Sequence, residues 1–399
     1  MTDTILCIDI GTSSLKAALL PDNLKKSPIY VSRQFFPRAA VAEKRNAREW
    51  LPALAAALLE LRQKQPDYAI EAVCVSGNGP TVVSEDGTTL LYNQIFAGDS
   101  LAQMSGMNQE VRDAVKDTKS LFIPRFLAFR HNFPDIWKAS KCIFGAPEFL
   151  IHELTGGAVS ILPEERFLPA YWTEEELKKC GFSASDCEKL PAFVSSGAFA
   201  GKVSEKAALA TGLLEGTFVF AGAPDFVVAL IGSGTVLPGR LCDRAGTSEG
   251  LNLCTSKPVF SSGLRTLPSV IPGLWNLSYL LESTTDYLER SAFDDVSDEK
   301  SNLCKSVTSV VYSEELSRGI KLLREASESS GEYFPDFMTI TGGQALDDEL
   351  IAQKEKATGL KIRKMPCADA ELIGDLILAR VGLGDYDDIS EAVFAILGA

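Results

Sequence analysis

The sequence predicts an α/β fold built from two related lobes. Short apolar runs with strand character alternate with Ala- and Leu-rich segments along the 399 residues, and this alternation is typical of α/β domains. Both halves open with an apolar strand that leads into a turn of Gly, Thr and Ser residues. A chain of this length favours two to three domains of about 150 residues each. We therefore expect two domains, residues 1–213 and 214–399, with the boundary near 213–215.

The first half begins with a predicted β-hairpin. Residues 5–10 and 15–20 are apolar runs joined by a polar turn that contains glycine. Residues 50–61 are rich in Ala and Leu with Pro52 near their start, which predicts a helix. A continuous apolar strand is expected at 72–75. The expectations for the rest of this half are a break at 77–80, a strand at 81–83, a turn at 85–87, mostly helical structure at 126–155 and an irregular stretch at 163–173.

In the second half the pattern of strand, turn and helix starts again. The run 216–222 predicts a strand, and residues 226–231 predict a helix. Residues 338–341 predict another strand, which ends in paired glycines. Residues 372–381 predict a helix that ends before Gly382.

Composition excludes several classes of protein and site. Asp and Glu outnumber Lys and Arg by 53 to 39, a net charge of −14, and this charge repels a nucleic acid backbone over most of the surface. The nine cysteines are scattered without a CxxC pair, as expected for reduced thiols. The two histidines, His131 and His152, stand apart, so no zinc site is expected. Since no basic leader and no apolar run of membrane length is visible, we expect a cytoplasmic protein without a membrane or nucleic acid partner.

The turn after the first strand has the composition of a phosphate site. Asp9 closes the strand, and Gly11, Thr12, Ser13 and Lys16 follow it. Glycine lets a backbone approach phosphate, N–H and hydroxyl groups donate to its oxygens, and a carboxylate at a strand end can hold Mg²⁺ directly or through water. The GxxxxGK loop and the GxGxxG fingerprint are both absent, which excludes a P-loop and disfavours a dehydrogenase. An ordinary hairpin turn is the alternative at this point.

Three places in the second half could complete such a site. Asp225 follows a strand, where its carboxylate could take a proton from an alcohol; the alternative is a helix N-cap. The turn Gly246-Thr247-Ser248 could form a second phosphate cradle, or it is an ordinary loop. Gly342 and Gly343 could let an adenosine lie flat on the backbone, or they form a turn before a helix.

In this order, these residues resemble the FGGY carbohydrate kinases of the actin-like and hexokinase-like ATPase superfamily. The run 8–16 is similar to the family's first phosphate motif, and the run 221–234 around Asp225 is the most specific match. The runs 246–248 and 342–344 occupy the places of the later phosphate and adenosine motifs. The resemblance covers essentially the whole chain and is to the xylulokinase-like members.

The resemblance implies a fold, an activity and a set of site residues. The fold would be two ribonuclease-H-like lobes of the actin-like ATPase type, with ATP and sugar in the cleft between them. The enzyme would be a phosphotransferase with an alcohol group as acceptor, in which Asp225 is the general base and Asp9 positions Mg²⁺. The residues implied to bind ATP are Gly11, Thr12, Ser13, Lys16, Gly246, Thr247, Ser248, Gly342, Gly343 and Gln344. These roles suit phosphoryl transfer, which needs mainly positioning and charge neutralisation.

The sugar-binding segments depart from the family pattern. Asn78-Gly79-Pro80 stands where a Gln-Met-His-Gly type of loop is usual, and only Asp99 remains of a Trp-Asn-Asp-x-Arg segment. No equivalent of another sugar-facing Asp is clear in residues 160–166. Asn78, Asp99 and Asp225 are the expected substrate contacts. A ketopentose such as xylulose is the expected acceptor, while another ketopentose, a polyol and a modified sugar stay open.

A second class of function is a non-catalytic nucleotide-binding sensor or scaffold derived from a sugar kinase. It would bind ATP without turnover that an acceptor stimulates. Because Asp225 is present while other sugar contacts are altered, we favour the kinase. The predicted partners are ATP and a small sugar or polyol, and a homodimer is left open as the assembly state.

Overall fold

The computed structural model describes residues 2–25, 29–36, 46–94, 107–246, 249–281 and 299–398, with side chains from 310 onward in the last range. The chain forms two compact units. Unit 1 comprises Met1–Val228 and Asp375–Asp388, and unit 2 comprises Ala229–Gly374 and Ile389–Ala399. The domain boundary expected near 213–215, between residues 1–213 and 214–399, stays a prediction.

Unit 1 is built on a six-stranded mixed sheet with the strand order β10-β11-β4-β1-β2-β3. β1, β2 and β3 pair antiparallel in sequence order, and β1 then pairs parallel with β4, as β4 does with β11. The predicted hairpin and the predicted strands at 72–75 and 216–222 are confirmed. The bounds are Thr2–Ile10 (β1), Ser14–Leu20 (β2), Val31–Phe35 (β3), Tyr68–Gly77 (β4), Phe199–Lys202 (β10) and Phe218–Pro224 (β11).

Two smaller sheets and a set of helices complete unit 1. The strands are Val82–Ser84 (β5), Thr89–Leu90 (β6) and Ile143–Phe144 (β7) in one sheet, and Ser160–Leu162 (β8) and Phe193–Ser195 (β9) in the other. The helices are Trp50–Lys64 (α1), Gln109–Asp117 (α2), Ile123–Asn132 (α3), Pro134–Ala139 (α4), Ala146–Thr155 (α5), Glu174–Lys179 (α6), Ala184–Cys187 (α7) and Glu205–Thr211 (α8).

The stretch 163–173, expected to be irregular, contains a short 3₁₀ helix, Glu165–Ala170. Its first turn is closed by Glu164, whose side chain accepts a hydrogen bond from the Arg166 N–H at 3.0 Å. Pro169 lies inside this helix, and its missing N–H disfavours a longer α-helix. The sequence expectation was therefore wrong for this segment.

The main core of unit 1 lies between α1, α5 and the large sheet. On α1 the buried residues are spaced three or four apart, which gives the helix one apolar face. These residues are Trp50, Leu54, Ala57, Leu58 and Leu61. A second core is aromatic and gathers residues of α3, α4 and the segment around Tyr171 and Trp172.

Unit 2 contains a second six-stranded sheet, with the order β14-β15-β13-β12-β16-β17. Its strands are Leu241–Ala245 (β12), Glu249–Thr255 (β13), Arg265–Pro268 (β14), Trp275–Leu281 (β15), Phe337–Thr341 (β16) and Lys361–Lys364 (β17). The arrangement β15-β13-β12-β16-β17 repeats that of β3-β2-β1-β4-β11 in unit 1, two antiparallel pairings followed by two parallel ones. The relatedness of the two lobes that the sequence suggested is visible in this repeat.

The described helices of the second half are Asp225–Gly232 (α9), Glu299–Ser329 (α10), Asp348–Thr358 (α11), Ala370–Leu383 (α12) and Ile389–Leu397 (α13). Two of these helices are divided between the units. In α9 the division follows Val228, and in α12 it precedes Asp375. Within the described ranges, none of the helices has both the length and the apolar character needed to cross a membrane.

Candidate functional site

The first hairpin brings a carboxylate and an ammonium group together. Asp9 on β1 pairs directly with Lys16 on β2, so their side chains lie on the same face of the sheet. Lys16 Nζ lies 3.2 Å from Asp9 Oδ2, and Asp9 is only 3% exposed. Its other oxygen, Oδ1, is buried and has no hydrogen-bond partner among the residues that the structure describes. One oxygen of Asp9 is thus neutralised, and the other remains open to a ligand.

The turn between β1 and β2 is tight at Gly11. The Gly11 N–H donates to the Ser14 carbonyl at 2.9 Å, and a Cβ on Gly11 would lie 3.1 Å from that oxygen. Ser13 is exposed and Thr12 is partly exposed. The turn therefore presents hydroxyl groups beside the Asp9–Lys16 pair, as the predicted phosphate site requires.

Asn78 fastens this turn to the end of β4. Its N–H donates to the Ile10 carbonyl at 2.9 Å, its Nδ2 donates to Thr12 Oγ1 at 3.3 Å, and its Oδ1 accepts from Thr81 Oγ1 at 2.6 Å. The side chain is 3% exposed. The structure thus shows Asn78 as a support of the first turn, while the expected contact with a substrate stays a prediction.

Asp225 is the first residue of α9 and directly follows β11. Its Oδ1 accepts a hydrogen bond from the N–H of Phe226 at 2.6 Å, and the residue is partly exposed. This contact holds the carboxylate in a fixed position, but it is made to the next residue, whereas an N-cap accepts from the N–H two or three residues on. The helix N-cap and the base for an alcohol both stay predictions for Asp225.

Three of the predicted residues follow strands that run in the same direction. β1, β4 and β11 are parallel, and Ile10 pairs with Gly77 and Gly77 with Pro224. Their carboxyl ends therefore lie at one edge of the sheet, where ligands usually bind in α/β folds. Asp9, Asn78 and Asp225 all lie at this edge.

A buried carboxyl group that the sequence analysis missed lies behind this edge. Asp375 on α12 accepts hydrogen bonds from Ser76 Oγ at 3.0 Å and from Cys74 Sγ at 3.6 Å. A Cβ on Gly222 would lie 2.4 Å from the Val75 carbonyl oxygen on β4 and 2.8 Å from Asp375 Oδ1, so glycine is needed there because the neighbouring backbone leaves no room. Burial raises the pKa of Asp375 well above its ordinary value, the Ser76 hydrogen bond lowers it in part, and the charge of Asp9 raises it again.

In unit 2 the paired glycines close a narrow gap between two strand ends. Gly342 has a φ of +83°, and a Cβ there would lie 2.6 Å from the carbonyl carbon of Ala245 at the end of β12. Gly343 begins the 3₁₀ turn Gly343–Leu346, is exposed, and has open space where a Cβ would be. Gly342 is thus required by the fold, whereas Gly343 leaves bare backbone for a flat ligand.

The side chain of Gln344 is turned inward. Its Nε2 donates to Glu249 Oε2 at 2.8 Å, and its Oε1 lies 3.2 Å from the Tyr312 hydroxyl oxygen. Tyr312 on α10 donates its hydroxyl proton to the nearer oxygen, Glu249 Oε1, at 2.7 Å. Gln344 therefore links the 3₁₀ turn to β13, and any contact with a nucleotide would come mainly from the backbone of this turn.

A buried lysine, also missed by the sequence analysis, extends this network. Lys354 Nζ on α11 lies 3.0 Å from Glu249 Oε1 and donates to Asp243 Oδ2. All three side chains are fully buried. The sequence gave only a weak indication of this buried cluster, which is that Glu249 directly follows Gly246-Thr247-Ser248.

Three predicted site residues lie outside the described residues. These are Thr247 and Ser248 in the turn between β12 and β13, and Asp99 in the expected sugar segment. Gly246 is the last described residue before that turn. Their predicted roles stay predictions.

The side chains that are present fit a magnesium ion bound together with phosphate. Among the described residues, no group of three or more His, Cys, Asp and Glu side chains could hold a metal. Mg²⁺ bound with a nucleotide keeps several waters and needs only one or two carboxylates from the protein. Asp9 Oδ1 meets that requirement, because it is buried and has no hydrogen-bond partner among the described residues.

Comparison with known proteins identifies a family and relatives that are similar to this chain. Residues 4–232, more than half of the chain, match the N-terminal domain of the FGGY family of carbohydrate kinases. The chain is 22% identical over 460 residues to a xylulose kinase of Bacillus subtilis (strain 168), covering 97% of this chain and 90% of that protein.

Solved structures share the fold over nearly the full length. A xylulose kinase from Rhodospirillum rubrum superposes with a TM-score of 0.70 at 16% identity, covering 96% of this chain and 91% of that one. A Plasmodium falciparum glycerol kinase with ADP gives a TM-score of 0.74 at 14% identity, covering 99% and 92%. The two-lobed, actin-like fold expected from the sequence is confirmed.

Proposed function

The chain belongs to the FGGY family of carbohydrate kinases, and we propose that it transfers the γ-phosphate of ATP to a hydroxyl of a ketopentose such as xylulose. As a member of that family it is a phosphotransferase with an alcohol acceptor. The observation that carries the proposal is the placement of Asp9, Lys16 and Asp225 at the carboxyl edge of the unit 1 sheet. Together they offer a metal ligand, a cation for phosphate and a base.

Asp225 is the proposed base. In the reaction its carboxylate accepts the proton of the acceptor hydroxyl while the oxygen bonds to the γ-phosphorus, and the bond from that phosphorus to the leaving oxygen of ADP breaks. The hydrogen bond from the Phe226 N–H holds Oδ1 of Asp225 in place at the start of α9. A fixed base of this kind supplies positioning, which phosphoryl transfer needs more than covalent chemistry.

The first turn is the proposed phosphate site. Lys16 and the N–H and hydroxyl groups of Gly11, Thr12 and Ser13 would donate to phosphate oxygens, where negative charge accumulates in the transition state. Asp9 would hold Mg²⁺ through Oδ1, and Mg²⁺ when bound neutralises charge on the phosphates. Because ATP is the donor, we place the protein in the cytoplasm.

Unit 2 supplies the remaining proposed nucleotide contacts. We assign Gly246, Thr247 and Ser248 to phosphate, and the exposed backbone at Gly342, Gly343 and Gln344 to the adenosine. The open space at Gly343 supports this assignment. In this proposal residues 1–213 contribute the first phosphate motif and the sugar side of the site, and residues 214–399 contribute the base and the other nucleotide contacts.

The choice of acceptor rests on weaker support than the transfer itself. Xylulose is favoured because the Bacillus subtilis relative that spans nearly the whole chain is a xylulose kinase. The glycerol kinase that shares the fold keeps a polyol open as the acceptor. Asn78 and Asp99 lie in or beside the segments where the sequence departs from the family pattern. These segments would therefore determine which acceptor the enzyme prefers.

The test is ADP release with Mg-ATP across a panel of ketopentoses, aldoses, polyols and sugar acids. We expect one class of acceptor to raise ADP formation above the rate without acceptor. Mass spectrometry should find the phosphorylated form of that acceptor alone. Tight binding of ATP with no acceptor-stimulated ADP formation would instead favour the non-catalytic sensor or scaffold.

A further inference from the structure

Unit 2 buries three charged side chains in one place. Lys354, Asp243 and Glu249 are fully buried, with Lys354 Nζ 3.0 Å from Glu249 Oε1 and hydrogen-bonded to Asp243 Oδ2. Removing such groups from water costs about as much as their attraction returns, so apolar residues of similar size would often be equally stable. Stability of the fold alone therefore does not explain this cluster.

The cluster leads to the 3₁₀ turn Gly343–Leu346, which the proposed function assigns to the nucleotide. Asp243 lies on β12 and Glu249 lies on the neighbouring strand β13. From Glu249 the contacts continue to Gln344, through Oε2 at 2.8 Å. Lys354 is thus two hydrogen bonds away from the 3₁₀ turn that carries the exposed backbone.

Tyr312 closes the network from a different helix. Its hydroxyl donates to Glu249 Oε1 at 2.7 Å and lies 3.2 Å from Gln344 Oε1. Both oxygens of Glu249 are therefore engaged, one by Lys354 and Tyr312 and the other by Gln344. A carboxylate held in this way has a single orientation, and so does the amide bonded to it.

We propose that Lys354 is a positioning residue for nucleotide binding, which orients the Gly343–Leu346 turn through Glu249. The inference rests on the proposed function, since that function assigns the nucleotide to this turn. Lys354 makes no contact with the ligand in this account. Its role is to keep the backbone N–H and carbonyl groups of the Gly343–Leu346 turn in the geometry that the nucleotide recognises.

The charges of the network support this role. Burial alone would lower the pKa of Lys354, but Asp243 and Glu249 outweigh it and raise the pKa, so the lysine stays charged. Burial raises the pKa of Asp243, against the opposing effect of Lys354. A permanent buried cation facing Asp243 and Glu249 is what keeps the acceptor oxygens of Glu249 available to Gln344 and Tyr312.

The test compares three variants of the full-length protein. Tyr312→Phe removes one hydroxyl and little volume, Lys354→Met removes the cation, and Lys356→Met changes an exposed lysine on the same helix as a control. The dissociation constant of Mg-ADP is measured by calorimetry, and the KM values of ATP and of the acceptor are measured separately. Thermal unfolding identifies the variants that fold.

We expect Tyr312→Phe to raise the dissociation constant of Mg-ADP about fivefold, the effect of losing one buried hydrogen bond. Lys354→Met should raise it by more than about tenfold if it folds. The KM of the acceptor should stay unchanged in both, and Lys356→Met should match the original protein. Adding Tyr312→Phe to Lys354→Met should then have little further effect, because both act through Glu249.

Three results would overturn the inference, and they are distinguishable. If the original protein binds Mg-ADP and folded Tyr312→Phe binds it equally well, the network does not position the Gly343–Leu346 turn for the nucleotide. If Tyr312→Phe weakens nucleotide and acceptor binding alike and unfolds at lower temperature, the network is only a general stabiliser. If the original protein binds no nucleotide, the proposed function fails and the inference fails with it.

Discussion

Lys16 Nζ lies 3.2 Å from one carboxylate oxygen of Asp9 across the first hairpin, while the other oxygen of Asp9 is buried with no hydrogen-bond partner in the described part of the chain. An open buried carboxylate oxygen is costly unless a ligand occupies it. This arrangement supports the proposal that Asp9 binds a metal ion and that Lys16 binds phosphate.

Asp9→Asn should raise the Mg²⁺ concentration needed for half-maximal activity and lower kcat by about 100-fold or more, because a neutral amide is a poor ligand for a hard cation. The measurement is the rate of ADP formation as a function of Mg²⁺ at saturating ATP. Asp3→Asn, on the same strand at an exposed position, is the control and should behave as the original protein. An unchanged Mg²⁺ dependence in Asp9→Asn would remove Asp9 from the metal site.

The paired glycines should respond in opposite ways to alanine. Gly342→Ala places a Cβ 2.6 Å from the carbonyl carbon of Ala245 at a φ of +83°, and should destabilise the fold by about 2 kcal/mol or more. Gly343→Ala has open space and should leave the unfolding midpoint unchanged while raising the KM of ATP about tenfold. The tenfold figure reflects loss of roughly 1.4 kcal/mol of binding. Equal KM values for ATP in Gly343→Ala and the original protein would place the adenosine elsewhere.

Glu148 on α5 should make stability depend on pH. Burial raises its pKa to about 7, against the hydrogen bond that it accepts from the Ile161 N–H at 3.0 Å. Because the folded pKa lies above the value in the unfolded chain, the neutral acid contributes stability below about pH 4.5, and this contribution is lost as the pH rises through about 7.

Glu148→Gln keeps an acceptor for the Ile161 N–H and does not ionise. Relative to this variant, the original protein should lose up to about 3 kcal/mol of unfolding free energy between pH 4.5 and pH 8. Denaturant unfolding of both proteins across this range measures the difference. A difference that is constant with pH would show that Glu148 does not titrate as its burial implies.

The parts of the fold that the sequence predicted are those set by local pattern. The hairpin of β1 and β2, helix α1 and the strand before Asp225 each follow from the spacing of apolar residues and from nearby Gly or Pro. The 3₁₀ helix Glu165–Ala170 was missed because its cap and its proline give conflicting local signals. Composition also gives no sign that residues 375–388 return to unit 1.

The site could be predicted where its residues lie at strand ends. Asp9 is near the end of β1 and Asp225 directly follows β11, so their placement at the sheet edge is visible in the sequence. Asp375 and Lys354 lie within helices, and their partners are 299 and 111 residues away, at Ser76 and Asp243. Both helices carry several charged residues, and the sequence does not show which of them is buried or what it contacts.

The central claim is that Asp225 accepts the proton of the acceptor hydroxyl, and Asp225→Asn tests it most directly. The amide keeps an oxygen for the Phe226 N–H, so the end of α9 should be preserved while the base is lost. ADP formation from Mg-ATP is measured with and without the best acceptor in both proteins, beside the dissociation constant of Mg-ADP. We predict acceptor-dependent ADP formation that falls by about 10² to 10⁴ in Asp225→Asn, with nucleotide binding unchanged. Acceptor-dependent turnover in Asp225→Asn at the rate of the original protein would contradict the account.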